Sequence, residues 1–157
     1  MTLYNNISFS NAITTMIMQP AHANAQGNVH GGELMKVMDN MAGIVAIRHA
    51  KSNVVTARAD ELVFSKPVNV GDIITCIGQL AYVGNTSMQV IVKVFVRNLQ
   101  DYSEVELATS AFFTMVHLSD GKPAPVEKII PETQEEKELY ALGEEKHLEI
   151  KKKFKRL

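Results

Sequence analysis

Apolar residues recur along this chain in two different periods. Between residues 88 and 97 they alternate. Met88, Val90, Val92, Val94 and Val96 fall on one side, and Gln89, Ile91, Lys93, Phe95 and Arg97 on the other. That two-residue repeat belongs to a strand. Between residues 32 and 50 the period is helical. Leu34, Val37, Met38, Met41, Ile44 and Val45 gather on one broad face, and Glu33, Lys36, Asn40 and Gly43 form a narrow stripe opposite. An apolar arc wider than half the circle predicts a mostly enclosed helix, as it would be inside a curved sheet.

The remaining elements follow from local signals. Residues 8–18 mix Ser, Thr, Ile and Met and predict a first strand, ended by Pro20, which cannot donate to a ladder. Residues 21–31 are small, polar and Gly-containing, and predict a loop. Residues 54–64 predict one strand or a pair of short ones. "KPVNVGD" (66–72) is a turn, 72–83 a strand, and "GNTS" (84–87) a hairpin connection. A second connection (98–106) leads to a last long strand (107–118) and a turn (119–125). Pro131, followed by acids, opens a charged C-terminal helix.

A strand, then a buried helix, then several long strands predicts an α+β fold with an antiparallel sheet curled around one long helix. Strands do not alternate with helices, which excludes a doubly wound fold. Residues 1–130 form the sheet-and-helix domain, and residues 131–157 a C-terminal helical extension with a basic tail. A length of 157 residues fits one such core.

Composition narrows the setting. Cys76 is the single cysteine, so no intrachain disulfide can form, which suits a reducing compartment. The first residues carry no basic segment ahead of a long apolar run, and no stretch approaches the ~20 apolar residues of a membrane span. A cytoplasmic protein without membrane insertion is expected. The net charge of −1 is unevenly spread: five of the sixteen basic residues lie in 151–156, and all seventeen acids precede them. Residues 1–150 thus carry eleven basic against seventeen acidic groups, a net of −6. An acidic body excludes general nucleic-acid binding. The tail is either a solvated terminus or a hold for an anionic partner.

Candidate chemistry concentrates in "HANAQGNVHGGELMKVMDN" (22–40). Gly31-Gly32 stands where the helix begins. Unpaired N–H groups there could polarise a carbonyl oxygen, and the missing Cβ atoms would let it approach; the same pair could simply ease the chain into the helix. Asp39 sits at the edge of the apolar arc. It is either a base whose pKa is raised by desolvation or half of a salt bridge with Lys36 or Arg48. Asn24 could hold an oxyanion or a water, or could close an Asx-turn. His30 is a candidate base or a turn cap. The five histidines do not have zinc-site spacing, so no metal is expected. Cys76 reads as a buried, inert thiol.

The opening stretch, continued through "MAGIVAIRHA", resembles the Asn-x-x-Gly-x-x-x-Gly-Gly and mid-helix Asp pattern of hotdog-fold acyl-CoA thioesterases, within them the bacterial hydrolases related to the brain cytosolic enzyme. "VVTARADELVFSKPVNVGD", "YVGNTSMQV" and "PETQEEKELYALGEE" follow in family order, so the resemblance covers nearly the whole chain.

The resemblance implies a hotdog fold, homodimers with one continuous sheet, and assembly into a trimer of dimers, a homohexamer. It implies hydrolysis of fatty acyl-CoA to CoA and fatty acid at the dimer interface, with no cofactor, coenzyme A being part of the substrate. Asn24 and Asp39 match the family's catalytic pair, which opposite subunits contribute to one site. The thioester carbonyl would point at Gly31 and Gly32. Asp39 would activate water or attack directly, and Asn24 would position water or thioester. The coenzyme would lie along Val54, Thr56 and Arg58, the Ser65-Lys66 turn, and Gly84, Asn85, Thr86 and Ser87. Relatives often carry Arg where this chain has Asn85, so a phosphate clamp is missing there, and the basic tail or another subunit would compensate. Met35, Met38, Phe64 or Phe95 would line the acyl tunnel. Two other readings remain: a hotdog dehydratase or hydratase using His30 with Asp39, and a non-catalytic acyl-CoA-binding protein.

Overall fold

The computed structural model describes residues 10–98, 100–101 and 104–154. Residues 8–9 of the expected first strand, and Lys155 and Arg156 of the tail, lie outside the described residues.

Strand β1 (Ala12–Ile17) leads through a short 3-10 turn (Pro20–His22) and a loop into helix α1 (Gly31–Ala50). Strands β2 (Val54–Phe64), β3 (Ile73–Val83), β4 (Ser87–Arg97) and β5 (Glu106–Ser119) follow, then a short β6 (Lys122–Pro123) and helix α2 (Gln134–Lys153). The pairings are antiparallel, in the order β1-β3-β4-β5-β2, with β6 joined to β5. The segment 54–64 is one strand, broken in register between Thr56 and Arg58 and again between Asp60 and Val63.

The alternation read in β4 decides which face is buried. Val90, Val92 and Val94 are fully buried and share a core with Met38, Met41 and Val45 of α1, together with Met88 and Met115. Phe95 alternates with these and belongs to the other face, so it cannot line a tunnel beside α1. The helix itself is enclosed on one side only. Val37 is half-buried, and Ile44 and Ile47 are exposed. The wide apolar arc therefore contains more surface than one sheet covers.

Helix α2 lies across the opposite face, over β3 and β4. Its capping box is complete: Thr133 Oγ1 accepts from Glu136 N at 3.0 Å, and Glu136 Oε1 from Thr133 N at 3.4 Å. Lys146, only 5% exposed, donates to Glu61 Oε1 at 2.5 Å and to Glu149 Oε2 at 3.1 Å. This ties α2 to the second irregularity of β2, where Glu61 has a positive φ of 59°. Gly143 sets the approach of helix to sheet: a Cβ there would lie 2.7 Å from Tyr82 Cβ and 2.8 Å from Ala81 Cβ. Gly143→Ala is therefore expected to destabilise the protein by about 1–3 kcal/mol, read as a lowered urea midpoint at unchanged slope.

Strand β2 ends the sheet, and within the described residues its outer edge has no partner. Val63 and Phe64 on it are 59% and 47% exposed. An unpaired edge that ends in exposed apolar side chains is a surface for another chain.

Candidate active site

The loop before α1 is fixed by its own hydrogen bonds. Asn24 Oδ1 accepts from Gln26 N at 2.9 Å and Asn28 N at 3.1 Å, an Asx-turn, while Val29 N donates to Val68 O. The carbonyl end of the Asn24 side chain is thus turned into the loop. Its Nδ2 group is left as a donor.

His30 is the N-cap of α1: its Nδ1 accepts from Gly32 N at 2.9 Å. That occupies the Gly32 N–H, which the sequence had offered to a substrate oxygen. Among the described residues the Gly31 N–H meets no acceptor. The glycines also have partners of their own: a Cβ on Gly31 would stand 3.3 Å from Phe64 Cζ, and one on Gly32 would stand 3.0 Å from His30 Nδ1.

Asp39 lies about two turns into α1. Its Oδ1 accepts from Thr56 Oγ1 at 2.6 Å, so a residue read as a coenzyme contact holds the carboxylate. Of the two alternatives for Asp39, the salt bridge with Lys36 or Arg48 is not formed among the described residues. Arg48 donates to Asn11 O at 2.6 Å, and among the described residues Asp39 makes no ion pair. Nor does the protomer bury it: Asp39 is exposed, because the sheet covers the other side of the helix. The desolvation expected for it is not supplied by this chain alone.

On the opposite face of the sheet is a cleft of about 260 Å³. It brings Arg58, Asn85, Thr86 and Ser87 together, and adds Gln89, Thr114, His147 and Lys151, which the sequence reading missed. Two of these left a signal: His147 and Lys151 are four apart and share one face of α2. Thr56 faces α1 while Arg58 faces this cleft, with Ala57 at the register break between them. Gly84 borders the same hairpin, its carbonyl accepting from Lys128 Nζ at 2.6 Å. Val54 is half-buried and packs on the core. Ser65 and Lys66 are elsewhere, at the far end of β2. Both N–H groups donate to Ala108 O, and Lys66 Nζ is 3.8 Å from Glu106.

The other candidates are structural. Burial pushes the Cys76 thiol up to about 12, which leaves it inert at neutral pH. Burial likewise lowers His49, whose Nε2 lies 2.5 Å from Glu127 O. Among the described residues no cluster of three metal-ligating side chains occurs, and no helix is long and apolar enough to cross a membrane.

A long helix on an antiparallel sheet, with a capped glycine entry and a carboxylate about two turns further on, is the hotdog arrangement of thioesterases. The Thioesterase superfamily model matches residues 26–101. The cytosolic acyl coenzyme A thioester hydrolase of Rattus norvegicus is 40% identical over 151 residues, covering 95% of this chain and 40% of that protein. An apo-hexameric acyl-CoA thioesterase superposes with a TM-score of 0.87 at 36% identity, covering 94% of this chain and 95% of the other. The Staphylococcus aureus acyl-CoA hydrolase, solved with butyryl coenzyme A, coenzyme A and coenzyme A disulfide, gives a TM-score of 0.80 at 32% identity, covering 94% and 93%. That enzyme was also solved with an Asn, an Asp and a Thr each replaced by Ala, spaced 15 and then 17 residues apart. Asn24, Asp39 and Thr56 have the same spacing. This chain belongs to the hotdog-fold acyl-CoA thioester hydrolase family. It spans about two-fifths of the length of the mammalian relatives it matches.

Proposed function

We propose that this protein hydrolyses the thioester of fatty acyl-CoA, releasing coenzyme A and a fatty acid. The observation that carries the reading is Asp39, held by Thr56 at 2.6 Å on the exposed side of α1. One carboxylate oxygen is fixed by the hydroxyl and the other is available to a water or to the acyl carbon. The carbonyl oxygen sits at the helix start, where the free Gly31 N–H and the helix dipole favour developing negative charge. The Asn24 amide donates to the same thioester or to the attacking water. A C–O bond forms, the C–S bond breaks, and coenzyme A leaves as a thiolate that takes up a proton. No cofactor takes part in these steps.

The family resemblance implies that opposite subunits contribute Asn24 and Asp39 to one site. The unpaired edge of β2 supports this, since pairing two copies there would extend the sheet and cover Val63 and Phe64. The active unit is then a homodimer, and three dimers make the hexamer. Pairing would also cover Asp39, which the single protomer leaves exposed. A cytoplasmic location follows from the single free thiol and from the substrate. Residues 131–157 are read as an extension of this domain, whose helix α2 lies over β3 and β4. His30 is engaged as a cap, which disfavours the dehydratase reading.

The test is a panel of acyl-CoAs from acetyl to palmitoyl, followed by release of free thiol. Saturable release with one chain-length class is expected. Binding without release from any member would instead make this a non-catalytic acyl-CoA-binding protein.

A further inference from the structure

Strand β2 changes face twice along its length, and the second change decides what stands beside the start of α1. Thr56 reaches Asp39 on the helix side of the sheet, whereas Arg58 and Asp60, paired with each other, lie on the outer face. Asp60 sits opposite Phe112, whose ring centroid is 5.7 Å from Lys146 Nζ of α2. In an unbroken strand Leu62 and Phe64 would follow Asp60 onto that outer face. The bulge prevents it. Residues 60 to 63 of β2 run against 112 to 110 of β5, so one extra residue is inserted. Phe64 then sits opposite Thr109, which in turn is opposite Val94 of the core. A slip of one residue carries the later side chains to the other face. Leu62 packs on the core, and Phe64 is turned toward α1.

The bulge is held from the far side of the sheet. Glu61 within it has a left-handed φ of 59°, unfavourable for a residue with a Cβ, and its carboxylate accepts from the buried Lys146 at 2.5 Å. Beyond Phe64 the chain is fixed again, where Ser65 N and Lys66 N both donate to Ala108 O. Between these two anchors the tip of the Phe64 ring meets the first residue of α1. A Cβ on Gly31 would stand 3.3 Å from its Cζ, and 3.6 and 3.7 Å from Cε1 and Cε2. Gly31 carries the N–H that meets no acceptor among the described residues. Two adjacent glycines make a loose helix entry. His30 braces Gly32 by accepting its N–H, and Phe64 braces Gly31 by contact.

We propose that Phe64 is a positioning residue for the Gly31 N–H, and that the Lys146–Glu61 pair presents it by holding the bulge. Helix α2 thereby acts on the helix entry from the opposite face of the sheet. A donor to a developing oxyanion is effective when it is fixed before the charge appears. Holding that donor is a different task from lining an acyl tunnel, and it does not depend on the length of the acyl chain. The inference rests on the hydrolase reading of the site, but one half of its test reads geometry without turnover.

The geometric half is NMR of protein made with ¹⁵N-labelled glycine, which marks nine residues. The ring current of Phe64 falls on the Gly31 amide, so Phe64→Leu should move that signal. Glu61→Ala should move it too, because it leaves the ring in the sequence and removes the acceptor of Lys146. Glu61→Gln keeps an acceptor and should keep the wild-type signal. The kinetic half uses acetyl-CoA and palmitoyl-CoA. Phe64→Leu is expected to lower kcat about 10- to 100-fold with KM nearly unchanged, as a displaced catalytic group does, and equally for both substrates. Glu61→Ala should lower kcat in the same way by about threefold or more, as loss of a charge-assisted hydrogen bond allows, and Glu61→Gln should restore it. Glu61 is exposed, so its variants carry the test even if Phe64→Leu fails to fold or assemble. A Gly31 signal indifferent to Glu61→Ala would overturn the link through the bulge. Unchanged kcat in Phe64→Leu, or a loss confined to palmitoyl-CoA, would overturn the positioning role while leaving the hydrolase reading intact. Wild-type protein that cleaves no acyl-CoA would sink the hydrolase reading, and the positioning role with it, whatever the Gly31 signal does.

Discussion

Asp39→Asn is expected to lower kcat by about 10²–10⁴-fold while leaving KM for acyl-CoA nearly unchanged, the range set by loss of a positioned base. The amide keeps the size of the side chain and can still accept from Thr56 Oγ1, so the contact at 2.6 Å need not be lost. What disappears is the charge that, in the proposed mechanism, takes a proton from water or attacks the carbonyl. The protomer exposes Asp39, so the thermal transition should move little. Near-normal turnover in this variant would remove Asp39 from the mechanism. Label found on the protein after a single turnover in ¹⁸O-water would identify attack by the carboxylate; label in the fatty acid alone fits either role. Attack by the carboxylate forms an anhydride; if water opens it at the Asp39 carbonyl, the label stays on the protein, whereas direct water attack puts it in the fatty acid.

The second large effect is expected at Asn24. The Asn24 carbonyl oxygen serves the loop, accepting from two backbone N–H groups, and in the proposed mechanism the Nδ2 group is the one left for the substrate. Asn24→Asp keeps an oxygen that can accept both loop hydrogen bonds, but replaces the Nδ2 donors with a second oxygen and adds a negative charge. It should cost about 10²–10³-fold in kcat, as loss of one donor to a developing oxyanion does. Asn24→Ala removes both functions and should in addition loosen the loop, seen as faster amide exchange at Gln26 and Asn28. Activity retained in Asn24→Asp would leave the residue with its turn-forming role alone.

Much of this was legible in the sequence because it is local. The helix over 32–50, the alternation of 88–97 and the "GNTS" hairpin each depend on a few consecutive residues. The His30 cap is local too, and was left open only because a histidine ring can be a base as readily as an acceptor. Contacts across the chain were not legible. The Thr56–Asp39 bond depends on how β2 passes α1, and the Lys146–Glu61 tie joins residues 85 positions apart. Asp39 looked buried because the apolar arc of its helix was read against one sheet, although part of that arc faces outward. Phe95 was misplaced for a different reason: the strand alternation already put it opposite the valines that pack on α1.

The core between α1 and the sheet is rich in thioethers. Met38, Met41, Met88 and Met115 are each at most 4% exposed. Met35, on the same helix, is 39% exposed and lies one turn before Asp39. An oxidant would therefore reach Met35 well before the sealed interior. Its sulfoxide would place a polar group beside the carboxylate and near an apolar substrate chain. Oxidation at Met35 would then reach the proposed site before it reached the four buried thioethers that pack the fold.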